Sequence, residues 1–215
     1  MELYAATVGQ IQENCYFLVG DNNRDTLIFD PGAEADTLKN IVEENDLNPI
    51  AIVLTHAHYD HIGALNEIRD TYDIPVYQHI IEKEWLVDPA QNGSGRHPEL
   101  EDVISTKPAD VYLEEMGDYS IGEFTFEMQH VPGHSPGSTV FIFKDNGFAI
   151  VGDVIFKGSV GRTDFPYGSH ETLIKGIHKY ITPLPGDTVL FPGHGDATTV
   201  QEEIDANPFL NGASR

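Results

Sequence analysis

A histidine-rich segment contains residue types that could bind metal ions. His56, His58, Asp60 and His61 lie within six residues, directly after the apolar run 50–54. Neutral imidazole and carboxylate groups are good ligands for zinc and similar divalent metals. Two histidines two residues apart in an extended turn can point the same way, and Asp60 and His61 would project from the first turn of the next helix. The alternative, a polar turn in which Asp60 only caps the helix, gives the three histidines no role, so the segment predicts ligands for two neighbouring metal ions.

Three further residues could complete such a site. His134 lies in a turn that proline and glycine make rigid, and Asp153 and His194 each follow an apolar run. Each of them alone is more typical of a turn or capping residue. Together they supply the ligands that the first segment leaves missing, and Asp153 suits the carboxylate that bridges two metals about 3.5–4 Å apart.

The elements that must position these residues follow from apolar spacing and from turn-forming residues. The patterns predict strands over 3–8, 15–19, 26–29, 50–54, 75–77, 111–113, 119–121, 124–129, 138–143, 148–151 and 188–191. They predict helices over 35–46, 61–69, 79–87, 170–180 and 197–206, and a loop over 88–98. Both halves of the chain place a histidine-bearing turn after a buried strand. Two sheets packed face to face, with helices outside, would fit this order within one α+β domain over residues 1–215.

Composition excludes several classes of protein. The chain has 215 residues and a formal net charge of −23, which argues against nucleic acid and against an anionic membrane surface as partners. No apolar stretch approaches the roughly 20 residues of a membrane span. The N-terminal residues lack a secretory signal, and Cys15 is the single cysteine, so we expect a cytoplasmic protein with no intrachain disulfide.

The segments 55–61, 131–138, 151–153 and 191–195, in this order, resemble the metallo-β-lactamase superfamily. More narrowly, they resemble a short form of glyoxalase II, the hydroxyacylglutathione hydrolases. The resemblance implies a four-layer αβ/βα sandwich with two mixed sheets flanked by helices, and a metal site at the edge between the sheets. Asp30 matches an early motif of the family, which implies that it supports the site or the surrounding structure.

The resemblance also implies a complete ligand set for two divalent metal ions, zinc first, with iron or manganese as alternatives. One ion would be bound by His56, His58 and His134, the other by Asp60, His61 and His194, and both by Asp153. Asp60 would in addition act in catalysis by orienting or deprotonating the attacking group.

The implied activity is hydrolysis of a thioester such as S-lactoylglutathione by attack of a hydroxide that bridges the metals. A thiolate, whose thiol has a pKa near 8.5, can leave without a general acid, whereas the nitrogen of an amide must be protonated. The loop 156–166 would contact the substrate through Arg162, Lys157 and Phe165, because an anionic thiol conjugate needs local positive charge. The alternative for Arg162 is an ion pair with a local acid such as Asp164.

Three other functions remain open at this point. Persulfide dioxygenases share the fold and would use His56, His134 and Asp153 to bind a single iron. A lactonase or another esterase could use the same scaffold. A non-catalytic module stabilised by metal is disfavoured, because structural zinc sites are closed by four ligands. The partner we expect is a small thioester substrate, and the chain is expected to be a monomer or a homodimer.

Overall fold

The computed structural model describes residues 1–98, 100 and 102–211. Residues 99, 101 and 212–215 of the predicted domain lie outside this description. The chain forms two compact units, one made of Met1–Glu114 and Ser120–Phe124, the other of Glu115–Tyr119 and Thr125–Arg215. The prediction of one domain over 1–215 stays a prediction.

The first unit is built on a six-stranded mixed sheet. Its strands, in spatial order, are β1 (Glu2–Val8), β2 (Glu13–Val19), β3 (Asp25–Phe29), β4 (Asn48–Val53), β5 (Val76–His79) and β6 (Val111–Leu113). The first three pair antiparallel through short turns, whereas β3 to β6 run parallel. Strands β2 and β3 are buried almost throughout, as their continuous apolar sequences predict. The parallel pairing brings the C-terminal ends of β3 and β4 to the same edge of the sheet.

The pairing of β3 with β4 contains one irregularity. Thr26 lies opposite Pro49 and Leu27 lies opposite Ala51, so the register shifts and Ile50 is an extra residue in β4. Proline has no N–H group to donate to a sheet, which is why it is tolerated at such an interruption near the start of a strand.

Three α-helices belong to this unit: α1 (Ala35–Glu44), α2 (Tyr59–Ile62) and α3 (Leu65–Tyr72). Helix α3 packs on α1 and on β4, with Leu65 and Ile68 fully buried. The single helix predicted over 61–69 is therefore wrong, because the chain breaks at Gly63 and Ala64. The Ala64 N–H donates to Pro31 O at 3.0 Å instead of continuing one helix.

The helix predicted over 79–87 is also wrong. Only Ile80–Glu82 form a short 3₁₀ turn, and turns follow it. The end of the segment is held by contacts across the fold: Trp85 O accepts from Asn92 Nδ2 at 3.1 Å, and Leu86 O accepts from Thr106 N at 2.7 Å. These contacts close the predicted loop onto the 79–87 segment.

The second unit contains another six-stranded mixed sheet. Its spatial order is β14 (Thr198–Thr199), β13 (Val189–Pro192), β10 (Phe148–Gly152), β9 (Thr139–Phe143), β8 (Phe124–His130) and β7 (Gly117–Ile121). The tip of the β7–β8 hairpin, Ser120–Phe124, groups with the first unit. A small hairpin of β11 (Ile155–Phe156) and β12 (Ser159–Val160) lies outside the sheet, and the sequence patterns did not predict it.

Two helices cover the apolar core of this unit. Helix α4 (His170–Tyr180) matches the prediction, begins at the capping residue Ser169 and buries Leu173 and Ile177 in that core. Helix α5 (Val200–Ala206) is shorter than predicted, because residues 198–199 pair as a strand and Thr199 forms a capping box with Glu202. No helix in the described part of the chain is long and apolar enough to span a membrane.

Candidate metal centre

In the first unit, the predicted ligands lie at the C-terminal end of β4. The chain bends at Thr55, and residues 56–58 belong to no helix or strand. Helix α2 begins directly after His58, which has an extended backbone conformation with ψ of 150°. His56, His58 and His61 are all buried. His56 Nε2 lies 3.0 Å from His58 Nδ1, so these two ring nitrogens lie close enough together to bind one ion. Ligands about 2.1 Å from a tetrahedral metal are separated by roughly 3.4 Å, so binding one ion would need the two nitrogens to move apart by only about 0.4 Å.

Asp30 lies beyond the end of β3, beside the turn that carries these histidines. Its Oδ1 accepts from the Thr55 N–H at 2.8 Å, and its Oδ2 accepts from Thr55 Oγ1 at 2.5 Å. The same Oδ2 lies 2.9 Å from His61 Nδ1, and an ionised carboxylate can only accept, so His61 carries its proton on Nδ1. Asp30 adopts a left-handed backbone conformation with φ of 49°, which aspartate tolerates better than most residues. The carboxylate thereby leaves His61 Nε2 as the nitrogen that can bind a metal.

Asp30, His56 and His61 each place one ligand atom within 4.8 Å of the others. The hydrogen bonds just described occupy both oxygens of Asp30. Asp30 therefore fits a support for His61 better than it fits a metal ligand, which agrees with the supporting role expected from its motif.

Asp60 is the fourth predicted ligand of this unit. Its Oδ2 lies 3.4 Å from His61 Nε2, and its side chain is 11% exposed. The Tyr59 N–H donates to Asn92 O at 3.0 Å, which fixes the start of α2. Asp60 and His61 thus present a carboxylate oxygen and a ring nitrogen close together from one turn, as the sequence predicted.

Two buried carboxylates near the histidines were not found by sequence reasoning. Glu82 is fully buried and its Oε2 accepts from the Ala57 N–H at 2.7 Å, between the two histidines of the pair. Glu13 is 1% exposed and its Oε1 lies 3.8 Å from His61 Nδ1. Nothing in the local pattern around Glu13 or Glu82 distinguishes them from surface acids, because the contacts are made across the fold.

In the second unit, Asp153 lies at the centre of the predicted ligands. Its Oδ2 is 3.4 Å from His134 Nε2 and 3.7 Å from His194 Nε2. Strands β10 and β13 run parallel and pair Gly152 with Pro192, so the residues that follow them emerge at the same sheet edge. Gly152 has φ of 49°, and its carbonyl accepts from the Gly193 N–H at 2.9 Å. This geometry brings together the three ligands of the unit.

The turn that carries His134 is held by several contacts. His134 Nδ1 lies 2.9 Å from Arg162 O, a carbonyl that can only accept, so the proton is on Nδ1 and Nε2 faces Asp153. His130 Nε2 lies 2.7 Å from Pro136 O and secures the other side of the turn.

Two of the predicted substrate contacts, Arg162 and Phe165, lie beside His134. Arg162 is exposed and forms an ion pair with Asp164, with distances of 2.8 and 2.9 Å, so the alternative given for Arg162 is what the structure contains. Arg162 holds the pKa of the Asp164 carboxyl below its ordinary value. The Phe165 ring lies 5.7 Å from the His134 ring and 4.4 Å from the Arg162 guanidinium carbon. Lys157 is exposed in the turn of the β11–β12 hairpin.

The donor sets fit divalent metal ions in each unit. Both consist of imidazole nitrogens beside a carboxylate; the histidines are buried except for His194, which is half-buried. Supports fix the ring protons away from the inward nitrogens of His61 and His134. Residues with this chemistry are costly to bury unless they bind a cation or satisfy one another. The residues present therefore suit a metal-binding role.

Comparison with known proteins places the chain in a family. A sequence model described as the metallo-beta-lactamase superfamily matches residues 8–194. The chain is 49% identical over 207 residues to the probable metallo-hydrolase YqgX of Bacillus subtilis (strain 168), covering 96% of both chains. It is 36% identical over 214 residues to the hydroxyacylglutathione hydrolase GloC of Haemophilus influenzae, covering 100% of both.

The fold is shared with a solved structure. The crystal structure titled BLEG-1 B3 metallo-beta-lactamase superposes with a TM-score of 0.94 and 46% identity, covering 98% of this chain and 100% of that one. This likeness confirms the predicted α+β class with two mixed sheets and flanking helices. The chain therefore belongs to the metallo-β-lactamase superfamily of metallo-hydrolases.

Proposed function

We propose that the chain hydrolyses thioesters of the S-lactoylglutathione type and needs divalent metal ions to do so. The observation that carries this proposal is its similarity to the hydroxyacylglutathione hydrolase GloC over the full length of both chains. The donor sets supply the chemistry that such a reaction requires. The formal net charge of −23 makes binding to nucleic acid unfavourable, so we expect the partner to be a small-molecule substrate.

Seven residues would hold the metals: His56, His58, Asp60, His61, His134, Asp153 and His194. This assignment comes from the family resemblance and is supported by the buried donors of each unit. Metal ions held by such a set lower the pKa of bound water towards about 7 and polarise a carbonyl oxygen. Zinc is the expected metal, with iron or manganese as alternatives.

The residues of the chain have distinct tasks in this proposal. Asp30 keeps the His61 proton on Nδ1, and the Arg162 carbonyl does the same for His134. Asp60 would orient the attacking water and accept its proton; its carboxylate lies beside the ring of His61, which supports this role. A thiol leaving group with a pKa near 8.5 then needs no acid from the protein.

β-Lactam hydrolysis is a second candidate, because BLEG-1, at 46% identity, is titled a B3 metallo-beta-lactamase. That reaction expels an amide nitrogen, which must gain a proton, and the seven proposed ligands include no separate acid for it. We favour the thioester reaction, because it requires no general acid from the chain.

A substrate panel with metal analysis tests the proposal. The metal content of the purified protein is measured, and initial rates are recorded on S-lactoylglutathione, other glutathione thioesters, a lactone and a chromogenic cephalosporin. Oxygen uptake with glutathione persulfide is measured in parallel. We expect the thioesters to be turned over fastest. Faster turnover of the cephalosporin or the lactone, or oxygen uptake on the persulfide, would replace the proposed function.

Two variants test the ligand assignment. His58→Ala and Asp153→Ala are expected to lose metal and to lower thioesterase activity by about two orders of magnitude or more, because outer supports of metal ligands alone cost 10–100-fold. His178→Ala, at an exposed histidine in α4, is the matched control and should keep both metal and activity. Near-full activity in either ligand variant would remove the assignment.

A further inference from the structure

The first unit contains a cavity of about 310 Å³ that the metal chemistry does not use. This volume lies at the lower end of the range for small-molecule pockets, about 300–1,000 Å³. The apolar side chains of the wall are Val8, Ile11, Ala33, Tyr59, Leu100 and Ile104. Asp60, a proposed metal ligand, also lines it, so the cavity adjoins the candidate metal centre.

Three glycines let the walls of the cavity come together. A Cβ added at Gly32 would lie 1.9 Å from Asp60 O, and one at Gly63 would lie 2.3 Å from Gly32 O. Gly9 has φ of 72°, and a Cβ there would lie 3.2 Å from Ala33 Cβ. The turn after β3 is therefore packed closely against two other segments. These are the turn between β1 and β2 and the residues of α2. The cavity is a consequence of specific close contacts and not of loose packing.

The charged groups of the wall are acidic. Glu34 Oε1 accepts from the Gly9 N–H at 2.9 Å, and Glu34 Oε2 accepts from Thr37 Oγ1 at 3.3 Å, so this carboxylate helps to build the wall. No lysine or arginine lines the cavity among the described residues. An anionic carrier such as the glutathione moiety would meet acidic residues there, Glu34 and Asp60, and no lysine or arginine from the part of the chain that the structure describes. A neutral apolar group meets mostly hydrocarbon.

We propose that this cavity binds an apolar acyl chain of the thioester substrate. The inference rests on the proposed function and deepens it, since it names an acyl group longer and less polar than lactoyl. A carbonyl reacting beside Asp60 would have its acyl chain directed along Tyr59 and Ile104, with Ile11 closing the rim. Ile11 is 50% exposed, and covering such a side chain with hydrocarbon on substrate binding is favourable.

The size of the effect follows from apolar burial. Each CH₂ group transferred from water into the cavity should tighten binding about fourfold, the equivalent of about 0.8 kcal/mol. The gain should continue until the cavity is full and then stop. A surface contact would give a smaller increment per CH₂ group and no such limit.

Binding of non-hydrolysable thioethers tests the proposal separately from catalysis. The full chain, with the metals it is purified with, is titrated calorimetrically with S-methyl-, S-butyl-, S-hexyl- and S-octylglutathione. Wild-type protein is expected to bind longer chains more tightly until a limiting length. Ile104→Trp, which fills the cavity, should abolish the dependence on chain length. Ile104→Ala should move the limit to longer chains, and it carries the test if the tryptophan variant does not fold.

Val103→Ala is the matched control, because Val103 is 60% exposed and does not line the cavity. It should show the wild-type dependence on chain length. The proposal is overturned if wild-type binding does not change with chain length, or if both Ile104 variants keep the wild-type profile. Failure of the proposed function would appear differently, as a lack of thioester turnover in the substrate panel while the thioether profile persists.

Discussion

Replacing Asp30 by asparagine should weaken metal binding while leaving the chain folded. The two side chains have nearly the same volume, so the substitution changes hydrogen bonding and hardly changes packing. Asparagine can still accept from the Thr55 N–H through its oxygen, at the position where Oδ1 lies 2.8 Å away. Its NH₂ group then replaces the oxygen that lies 2.9 Å from His61 Nδ1. Two donors would face each other, and His61 must move its proton to Nε2 or turn away.

The magnitude follows from the burial of this pair. Asp30 is 2% exposed and His61 is fully buried, so solvent cannot readily replace the lost hydrogen bond. Loss of a support behind a metal-binding histidine costs 10–100-fold in affinity, which is about 1.4–2.8 kcal/mol. One buried donor left unsatisfied should also lower the free energy of unfolding of the metal-free protein by about 1–3 kcal/mol.

The assay is a competition titration. Protein stripped of metal by dialysis against a chelator is titrated with zinc in the presence of a chromogenic chelator of known affinity. Urea unfolding of the stripped protein measures the stability term separately. Asp36→Asn is the control, since Asp36 loses the same charge at a side chain that is 91% exposed and paired with Lys39. The control should keep the zinc affinity within about twofold.

A zinc affinity of Asp30→Asn within twofold of the parent would refute the reasoning, because His61 would then bind metal equally well without its carboxylate. A loss of affinity accompanied by an unfolded metal-free chain would also refute it. That result would mean that Asp30 stabilises the folded chain and does not act by fixing the tautomer of His61.

Three further predictions concern other parts of the chain. Glu82→Ala should lower the free energy of unfolding by about 1–3 kcal/mol and weaken zinc binding, because the buried Ala57 N–H loses its acceptor. Glu82→Gln can still accept this hydrogen bond, so it should keep most of the stability and most of the zinc affinity in the same titrations. Burial raises the pKa of the Cys15 thiol, and the unfolded thiol ionises near pH 8.5, so the free energy of unfolding should fall as the pH rises above about 8.5. Urea unfolding at pH 7, 9 and 10 measures this, and Cys15→Ala should remove the slope that the thiol contributes. Arg162→Ala should change the free energy of unfolding by no more than about 1 kcal/mol, because the ion pair between Arg162 and Asp164 is exposed. The same variant should raise KM for anionic thioesters. An unchanged KM would mean that Arg162 does not contact the substrate.

The candidate ligands could be predicted because their residue types and their positions after buried strands are local features. The order of the elements also indicated two packed sheets with helices outside, and the family resemblance implied that both sheets are mixed. The supports could not be predicted in the same way. Glu82 bonds to a backbone 25 residues away, and no pattern within one segment encodes that contact.

The helix errors have a similar cause. Ile62, Leu65 and Ile68 recur at helical spacing and predict one continuous helix. The helix breaks because the Ala64 N–H bonds to Pro31 O and because Gly63 approaches Gly32 closely. Tertiary contacts of this kind break a helix that the spacing of apolar residues alone would predict. They occur here beside the candidate metal centre, where the turn after β3 comes close to α2.

Beyond the unpaired Ile50, the length of β4 is critical for the histidine turn. Deleting one residue between Ile50 and Thr55 would draw the segment that follows back by about 3.3 Å and turn its side chains to the opposite face. The hydroxyl of Thr55 would then point away from Asp30, and His56 and His58 would turn away together. Point substitutions along β4 can preserve the centre, but a single-codon deletion after Ile50 would dismantle it while leaving every proposed ligand in the sequence.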